Sequence, residues 1–493
     1  MLEKLKKRNN KFLLFFIVIA FYLRLQGISY GLPYVLNPDE SVNLFKILSL
    51  THVFTNVLEA NPDSILIPLR FLSVLFGAGS VIVIYFIGMR FSPLTAVIAG
   101  GLLSVSMLHV KFSQIFLPFS AMTFFVLLSV FFLLKENKNI IQSAISALLS
   151  FLMHPMGIVS IFPLLFVIQQ EKSFSKFKPL FTKLAVIALL LKVNCLLHLP
   201  SLFVTVPKSY FINYYNYYFS SYCLYAFSFL LMGIGPVAYL GSIWLIKYRK
   251  DYDLNLLKIL FLLPVLYIGI LGFLHLTKSE YAVLIIPYFC ISTGLFFNSI
   301  YERAQTDNKK IIFIFLLLLA FWIPLKYTLK YNKITSLPDT RIIAVEWMKQ
   351  NTSENIKIAW DKNSIQPNWY DAYEKQELKA LTADPEVLVN RQRFPVSLKF
   401  LERKNWFKVL KKKVDYVVIN SLDYEQVLRR PERNLEKKYY RKFLKLKPFL
   451  VFNPYLKDLD KHTKSLLTED LYSPLLTLWQ RERSGPVIKI YKL

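Results

Sequence analysis

Two adjacent carboxylates, Asp39 and Glu40, stand in the run Asn37, Pro38, Asp39, Glu40, Ser41, just beyond an apolar stretch that ends near residue 31. A carboxylate pair in that place can take up a proton or hold a cation. With Asp39 or Asn37 as N-cap, it can instead open a helix lying along the interface from about Glu40 to His52. Residue type alone leaves all three open, because carboxylates where a helix leaves a bilayer must be solvated, paired or used. Arg24 lies upstream at the outer end of the same stretch, followed by Gln26, Gly27, Tyr30, Gly31 and Pro33. A guanidinium there seeks a carboxylate or a phosphate, or snorkels to water. His154 ends another apolar stretch, where an imidazole can meet a phosphate or an acceptor, or serve structure. The histidines at 52, 109, 154, 198 and 275 share no helical spacing, so no histidine metal site is encoded; a divalent cation beside Asp39 and Glu40 stays open. The stretch Tyr210 to Tyr222, with Tyr214, Tyr215, Tyr217 and Tyr218, reads as an interfacial aromatic belt before it reads as a sugar-stacking surface.

These side chains must be carried by membrane-spanning helices. Of 493 residues 54% are hydrophobic and 16% aromatic, with a mean hydropathy of +0.39, too apolar for a soluble chain of this length. About eleven apolar stretches of ~17–25 residues, the length that crosses ~30 Å of hydrocarbon, run over 12–31, 65–87, 94–110, 119–134, 140–155, 156–170, 183–200, 222–246, 257–276, 281–299 and 310–328. Lys4, Lys6, Lys7 and Arg8 before Phe12 to Leu23 imitate a signal peptide, but no small-residue cleavage site follows, so the segment reads as an uncleaved first span.

Positive residues set the orientation. One set of connections holds the N-terminal cluster, Arg90, Lys135 and Lys138, Lys172 to Lys183, Lys247 to Lys258, and Arg303 to Lys310. The alternate set holds only Lys46, Lys111, Lys208 and Lys278. Retention of Lys and Arg in the cytoplasm places the N-terminus inside and the C-terminal domain outside. The same distribution explains the net charge of +28 without a nucleic-acid partner. Cys195, Cys223 and Cys290 lie in or beside apolar stretches with no CxxC pair, as small core residues do.

From about residue 331 the chain becomes charged and reads as a soluble α/β domain, 331–493, after a membrane domain, 1–330, whose first external loop covers 37–64. Pro338 and Asp339 start a helix reaching Gln350, and Ile356 to Trp360, Tyr416 to Ser421, Phe449 to Asn453 and Pro486 to Leu493 read as buried strands. The basic run Lys411 to Lys413 and Arg429, Arg430, Lys437 and Lys438 form a solvated face that anionic headgroups or glycans can meet.

The run RLQGISYGLPYVLNPDES resembles the end of the first helix and the first external loop of bacterial protein-mannosyltransferase-like membrane glycosyltransferases of the GT-C fold, the family-39 and aminoarabinose-transferase-like group. His109, Val110, Lys111, Phe112 and Ser113 fall where that family has a basic second external loop. Lys278, Ser279, Glu280 and Tyr281, ahead of Ile285, Ile286 and Pro287, resemble its basic-residue-plus-tyrosine approach to a late helix. The resemblance implies a GT-C-like bundle with a polyprenyl-phosphate sugar as donor and a lipid, glycan or protein as acceptor. Asp39 would act as or beside the base and Glu40 would orient an acceptor or a cation. Arg24, Lys111, Lys278 and Tyr281 would face the donor phosphate, with Tyr30, His109 and His154 near substrate. No nucleotide-binding glycine motif is required, and none is present.

One departure stands out. Where family members commonly carry an acidic residue about ten positions beyond the histidine, this sequence reads Phe116, Leu117, Pro118, Phe119, Ser120. The expectation is an integral membrane glycosyltransferase, a hexosyl- or pentosyltransferase of a bacterial inner membrane working at its outer face. The rivals are a degenerate scaffold of the same fold, a transporter, and a polysaccharide polymerase or ligase. A transporter predicts repeats and polar breaks at the bilayer midplane, of which only Lys192 and Asn194 offer a hint.

Overall fold

The computed structural model describes residues 2–32, 36, 40, 62–171, 179, 182, 230–273, 279–304, 306–351, 357–360, 397–400, 414–429, 434–456 and 477–493. Asp39, Lys278, the tyrosine stretch 210–222, most of the loop 37–64 and the apolar stretch 183–200 lie outside them. Two compact units emerge: residues 1–25 with 70–329, and residues 26–69 with 330–493.

The helices begin with α1 (Leu2–Leu25), α2 (Pro62–Met89), α3 (Pro93–Val105), α4 (Met107–Ser113), α5 (Pro118–Leu133), α6 (Ile140–Met153) and α7 (Ile161–Gln170). After these come α8 (Leu231–Ile234), α9 (Pro236–Tyr248), α10 (Leu254–Phe273), α11 (Ile286–Arg303) and α12 (Asp307–Thr335). Proline and serine mark the starts. Ser92 caps α3 by accepting from the Thr95 amide with Pro93 in the first turn, and Asn139 caps α6 through the Gln142 amide.

Among the described residues four helices are long and apolar enough to cross a membrane, or five if the bent pair α3 and α4 counts as one span. The eleven expected spans are therefore not all present as such. The stretches 119–134, 140–155 and 156–170 form the shorter apolar helices Pro118–Leu133, Ile140–Met153 and Pro155–Gln170, the last opening with a 3-10 segment, Pro155–Ser160; at ~21–27 Å they fall short of ~30 Å of hydrocarbon. The expected span 94–110 is two helices bent by 57° at Ser106. The first helix stops at Leu25 instead of 31, and a turn follows in which the Tyr30 amide donates to the Gly27 carbonyl at 3.1 Å and Gly31 takes φ +77°, open to glycine.

Within the first unit α3 packs on α11 and α11 on α9. The fit depends on glycine: a Cβ on Gly294 would stand 2.8 Å from the Thr95 carbonyl oxygen, and one on Gly88 2.6 Å from Ala96 Cα. Small residues at such crossings let helix backbones approach in an apolar solvent, where hydrophobic burial gives no drive.

The second unit holds α13 (Thr340–Asn351), β1 (Lys357–Trp360), β2 (Ser397–Phe400), β3 (Tyr416–Asn420), α14 (Ser421–Arg429), α15 (Asn434–Lys445), β4 (Leu450–Phe452) and β5 (Ile488–Lys492). The strand order is β2-β1-β3-β5-β4, with β1 parallel to β2 and β3, and β5 antiparallel to β3 and β4. All five residues of β3 are buried. Its two faces feed two cores, as a strand covered on both sides must. Tyr416 and Val418 join Ile358, Ile488, Ile490 and the α13 residues Ala344, Val345 and Met348. Val417 and Ile419 join Val427 of α14 and Tyr440 and Phe443 of α15. The α/β expectation holds as a small mixed sheet, and four of the five strands fall where the alternation put them.

The first of these cores also contains Tyr30 and Leu36. The stretch after α1 thus groups with the C-terminal residues instead of with the helices that flank it. Asp339 is the N-cap of α13. Its Oδ1 accepts from the Arg341 amide at 2.9 Å and from Arg341 Nε at 2.9 Å, and its Oδ2 from Arg341 Nη2 at 3.0 Å. Both side chains are buried, 0% and 4% exposed. The Tyr30 hydroxyl donates weakly to Asp339 Oδ2 at 3.5 Å. Burial first, and then the Asp339 carboxylate, push the Tyr30 phenol above its ordinary range, so it remains a donor.

Candidate active site

The bend at Ser106 is built from side chains that accept the role of missing helix. A helix that stops leaves its last carbonyls without partners, and in an apolar surrounding each such carbonyl costs several kcal/mol, on the order of 2–7. Arg24 of α1 is wholly buried and supplies what α3 lacks: Nη1 donates to the Ser104 carbonyl at 3.2 Å and Nη2 to the Leu103 carbonyl at 3.3 Å. Nη1 also donates to the Ala20 carbonyl at 3.0 Å. The Thr328 hydroxyl of α12 donates to the Val105 carbonyl at 2.6 Å, and the Ser106 hydroxyl to Gly233 at 2.6 Å. Arg24 Nη2 further meets His109 Nδ1 at 2.8 Å. A guanidinium only donates, so Nδ1 accepts and the proton of the neutral ring sits on Nε2. Of the candidate residues, Arg24 and His109 therefore form one buried pair that braces the bend.

What the bend positions is Lys111. The short helix α4 carries it, 3% exposed, to within 3.4 Å of the Ser279 hydroxyl, 168 residues away in sequence, with its Nζ 4.6 Å from the centre of the Phe112 ring. Ser279 opens a 3-10 turn, Ser279–Leu284, that feeds into α11. Tyr281 of that turn stands 5.4 Å from the Phe119 ring, edge on, and 6.0 Å from His154. His154 lies 4.8 Å from Phe119 and accepts from the Met156 amide through Nδ1 at 3.2 Å, which caps the 3-10 turn Pro155–Ser160. Lys111, Tyr281 and His154 are thus gathered at one end of the first unit. Phe119, where the resemblance leads one to expect an acid, is the aromatic wedge between His154 and Tyr281.

The opposite end carries the ion pairs. Arg90 meets Glu136 at 3.0 Å, Lys138 meets Glu171 at 3.2 Å and Arg303 meets Asp251 at 2.7 Å. Every one of those residues belongs to the cation-rich connections, and Lys111 belongs to the cation-poor set. These ion pairs thus gather in the cation-rich connections, apart from Lys111.

A broken third span, a basic short helix after the break and a late helix entered through a serine and a tyrosine form a specific arrangement. ArnT from Cupriavidus metallidurans, in the apo state, aligns over 85% of this chain and 94% of its own, at a TM-score of 0.50 and 11% identity. The fold is GT-C-like. ArnT bound to undecaprenyl phosphate aligns over 97% of both chains at a TM-score of 0.49 and 11% identity. The archaeal oligosaccharyltransferase AglB from Archaeoglobus fulgidus, in complex with an inhibitory peptide and a dolichol-phosphate, aligns over 88% of this chain and 72% of its own at 0.44 and 11%. No family model and no curated protein matches the sequence. At such identity the likeness is one of fold.

Of the remaining candidates, Glu40 is helical and fully buried, grouped with Tyr30 in the second unit. Among the described residues no group of three or more His, Cys, Asp or Glu is placed to hold a metal ion. Sequence reasoning missed Thr328, Ser106 and Ser104 as parts of the bend. Two serines one residue apart, closely following Gly100 and Gly101 in an otherwise apolar run, were the available signal.

Proposed function

We propose that the chain is an integral membrane glycosyltransferase that moves a sugar from a polyprenyl-phosphate donor to an acceptor at the outer face of a bacterial inner membrane. The observation that carries this reading is the meeting of Lys111, Ser279 and Tyr281 at the cation-poor end of a GT-C-like fold. A lipid phosphate at the interface needs just such a fixed cation beside hydroxyl donors, held in a place of low dielectric. The base is assigned from the resemblance of the first loop and not from this geometry. Asp39 takes the proton from the acceptor hydroxyl as its oxygen bonds to the anomeric carbon. The carbon–oxygen bond to phosphate breaks with its electron pair, and the polyprenyl phosphate leaves against Lys111 and Lys278. By analogy with the family, attack from the opposite face inverts the anomeric centre. Glu40 orients the acceptor or a divalent cation, and His154 and Tyr281 border the sugar. Arg24 acts on this site through the bend.

Support for a lipid-linked donor comes from the resemblance of the first loop and from ArnT, a protein solved with undecaprenyl phosphate. The test is transfer by the purified chain with a panel of radiolabelled polyprenyl-phosphate sugars and membrane extract as acceptor. Asp39→Asn lowers the rate by ~10² or more with donor binding kept, as removal of a general base does. Lys111→Met weakens donor binding. Equal transfer by wild type and Asp39→Asn would take Asp39 out of the chemistry. A second reading, a catalytically silent scaffold of the same fold, is favoured by Phe119 in the acid's place, and it predicts no transfer with any donor.

A further inference from the structure

A cavity of about 460 Å³ lies among α9, α10 and α11 in the first unit, a size ordinary for a ligand site. Its walls come from Ile243, Phe261, Val265 and Phe289, and its serine hydroxyls are already engaged: Ser242 donates to the Ala238 carbonyl at 2.9 Å and Ser292 to the Tyr288 carbonyl at 2.9 Å, whereas the buried Tyr288 hydroxyl has no hydrogen-bond partner among the described residues. The interior is therefore a largely apolar slot, with the Tyr288 hydroxyl as the polar group on its lining left unmatched. The charged residue on its wall is Arg249, in the turn Arg249–Asp251 that joins α9 to α10. Its neighbour Asp251 is taken by Arg303 at 2.7 Å, and Arg249 forms no ion pair or side-chain hydrogen bond among the described residues. Lys247 and Lys250 flank it, both exposed, and the outward faces nearby carry Trp244 and Leu240, each 57% exposed, and Val265, 66% exposed.

An apolar slot with an unmatched cation at its rim has the chemistry of one kind of occupant. We propose that it binds an acyl chain of an anionic phospholipid, whose phosphate is held by Arg249 with Lys247 and Lys250 beside it. Basic clusters next to membrane helices draw anionic lipids, and a guanidinium matches a phosphate in two hydrogen bonds. The rim belongs to the cation-rich end, away from Lys111 and Tyr281, with the 18 residues of α11 running between the two ends. The phosphate-holding rim is therefore apart from the place assigned to a donor phosphate, and the polyprenyl-phosphate titration reads whether the slot itself is.

Native mass spectrometry of the full chain in detergent, titrated with phosphatidylglycerol, phosphatidylcholine or a polyprenyl phosphate, tests it. One phosphatidylglycerol is retained at least tenfold better than phosphatidylcholine. Arg249→Gln removes that preference, and Val265→Trp, which fills the slot from an exposed position, removes the bound lipid, with both variants melting like wild type in lipid-free detergent. Equal retention of the two phospholipids, or retention indifferent to both variants, overturns the proposal. Displacement of phosphatidylglycerol by one equivalent of polyprenyl phosphate also overturns it, by assigning the slot to a donor chain.

Discussion

Replacing Asp339 with alanine removes one carboxylate that performs three tasks. It accepts from the Arg341 amide as the N-cap of α13, it takes both Nε and Nη2 of Arg341, and it meets the Tyr30 hydroxyl. A lost cap costs about 1 kcal/mol and a hydrogen bond to a charged group about 1.5–3 kcal/mol. The sum overshoots, because these contacts share one oxygen pair and are not additive. Breaking a buried ion pair from one side, about 3–5 kcal/mol, sets the scale, since a guanidinium 4% exposed cannot regain water without moving. Taking about 4 kcal/mol, amide hydrogen exchange of β3 and α13 in the full chain should lose about 10³ in protection, one decade per 1.4 kcal/mol. Asp339→Asn keeps the cap acceptor and loses the charge, so it falls between. Tyr30→Phe costs under about 1 kcal/mol, because its bond is long at 3.5 Å. A loss below tenfold for Asp339→Ala would refute the reasoning, and with it the view that this pair ties the core.

Gly485→Ala should destabilise the same unit by more than about 2 kcal/mol, since its φ is +101° and the new methyl would strike the Thr340 hydroxyl and the Asp339 carboxylate; unchanged exchange in α13 would contradict it. Arg24→Ala should strip the Leu103 and Ser104 carbonyls of their donors and lower the melting temperature of the purified chain, with Arg24→Lys restoring only part because one ammonium cannot span both. If Arg24→Ala melts like wild type, the bend is held by other means. Gly294→Leu should separate α11 from α3, read as loss of a disulfide engineered across that crossing, because its Cβ would stand 2.8 Å from backbone.

Local chemistry made the second unit readable. Proline and aspartate ahead of an amphipathic run gave away α13 and its cap, and β-branched runs gave away β1, β3, β4 and β5. The strand β2, Ser397–Phe400, holds no β-branched residue and offered no such signal. Spans were harder to read, because hydropathy reports that a stretch is apolar and not that it is straight. The bend at Ser106 depends on Arg24 and Thr328, which lie 79 or more positions away and come close only in the fold. The site was half legible. Lys111, Tyr281 and His154 were each named from short patterns, but their meeting around Phe119 is a tertiary fact. Arg24 looked like a phosphate ligand because a lone arginine in a span shows its need for acceptors and not which acceptors meet it.

Tyr30 and Asp339 stand 309 positions apart in the chain yet share one core. At ~5–20 residues per second of synthesis, Tyr30 would wait on the order of 15–60 s before its partner leaves the ribosome, and β5, which completes the sheet, comes later still. Tyr30 and Leu36 would therefore take their final places among the last events of biogenesis. A chain interrupted anywhere before residue 488 would present Tyr30 and Leu36 uncovered to chaperones and proteases.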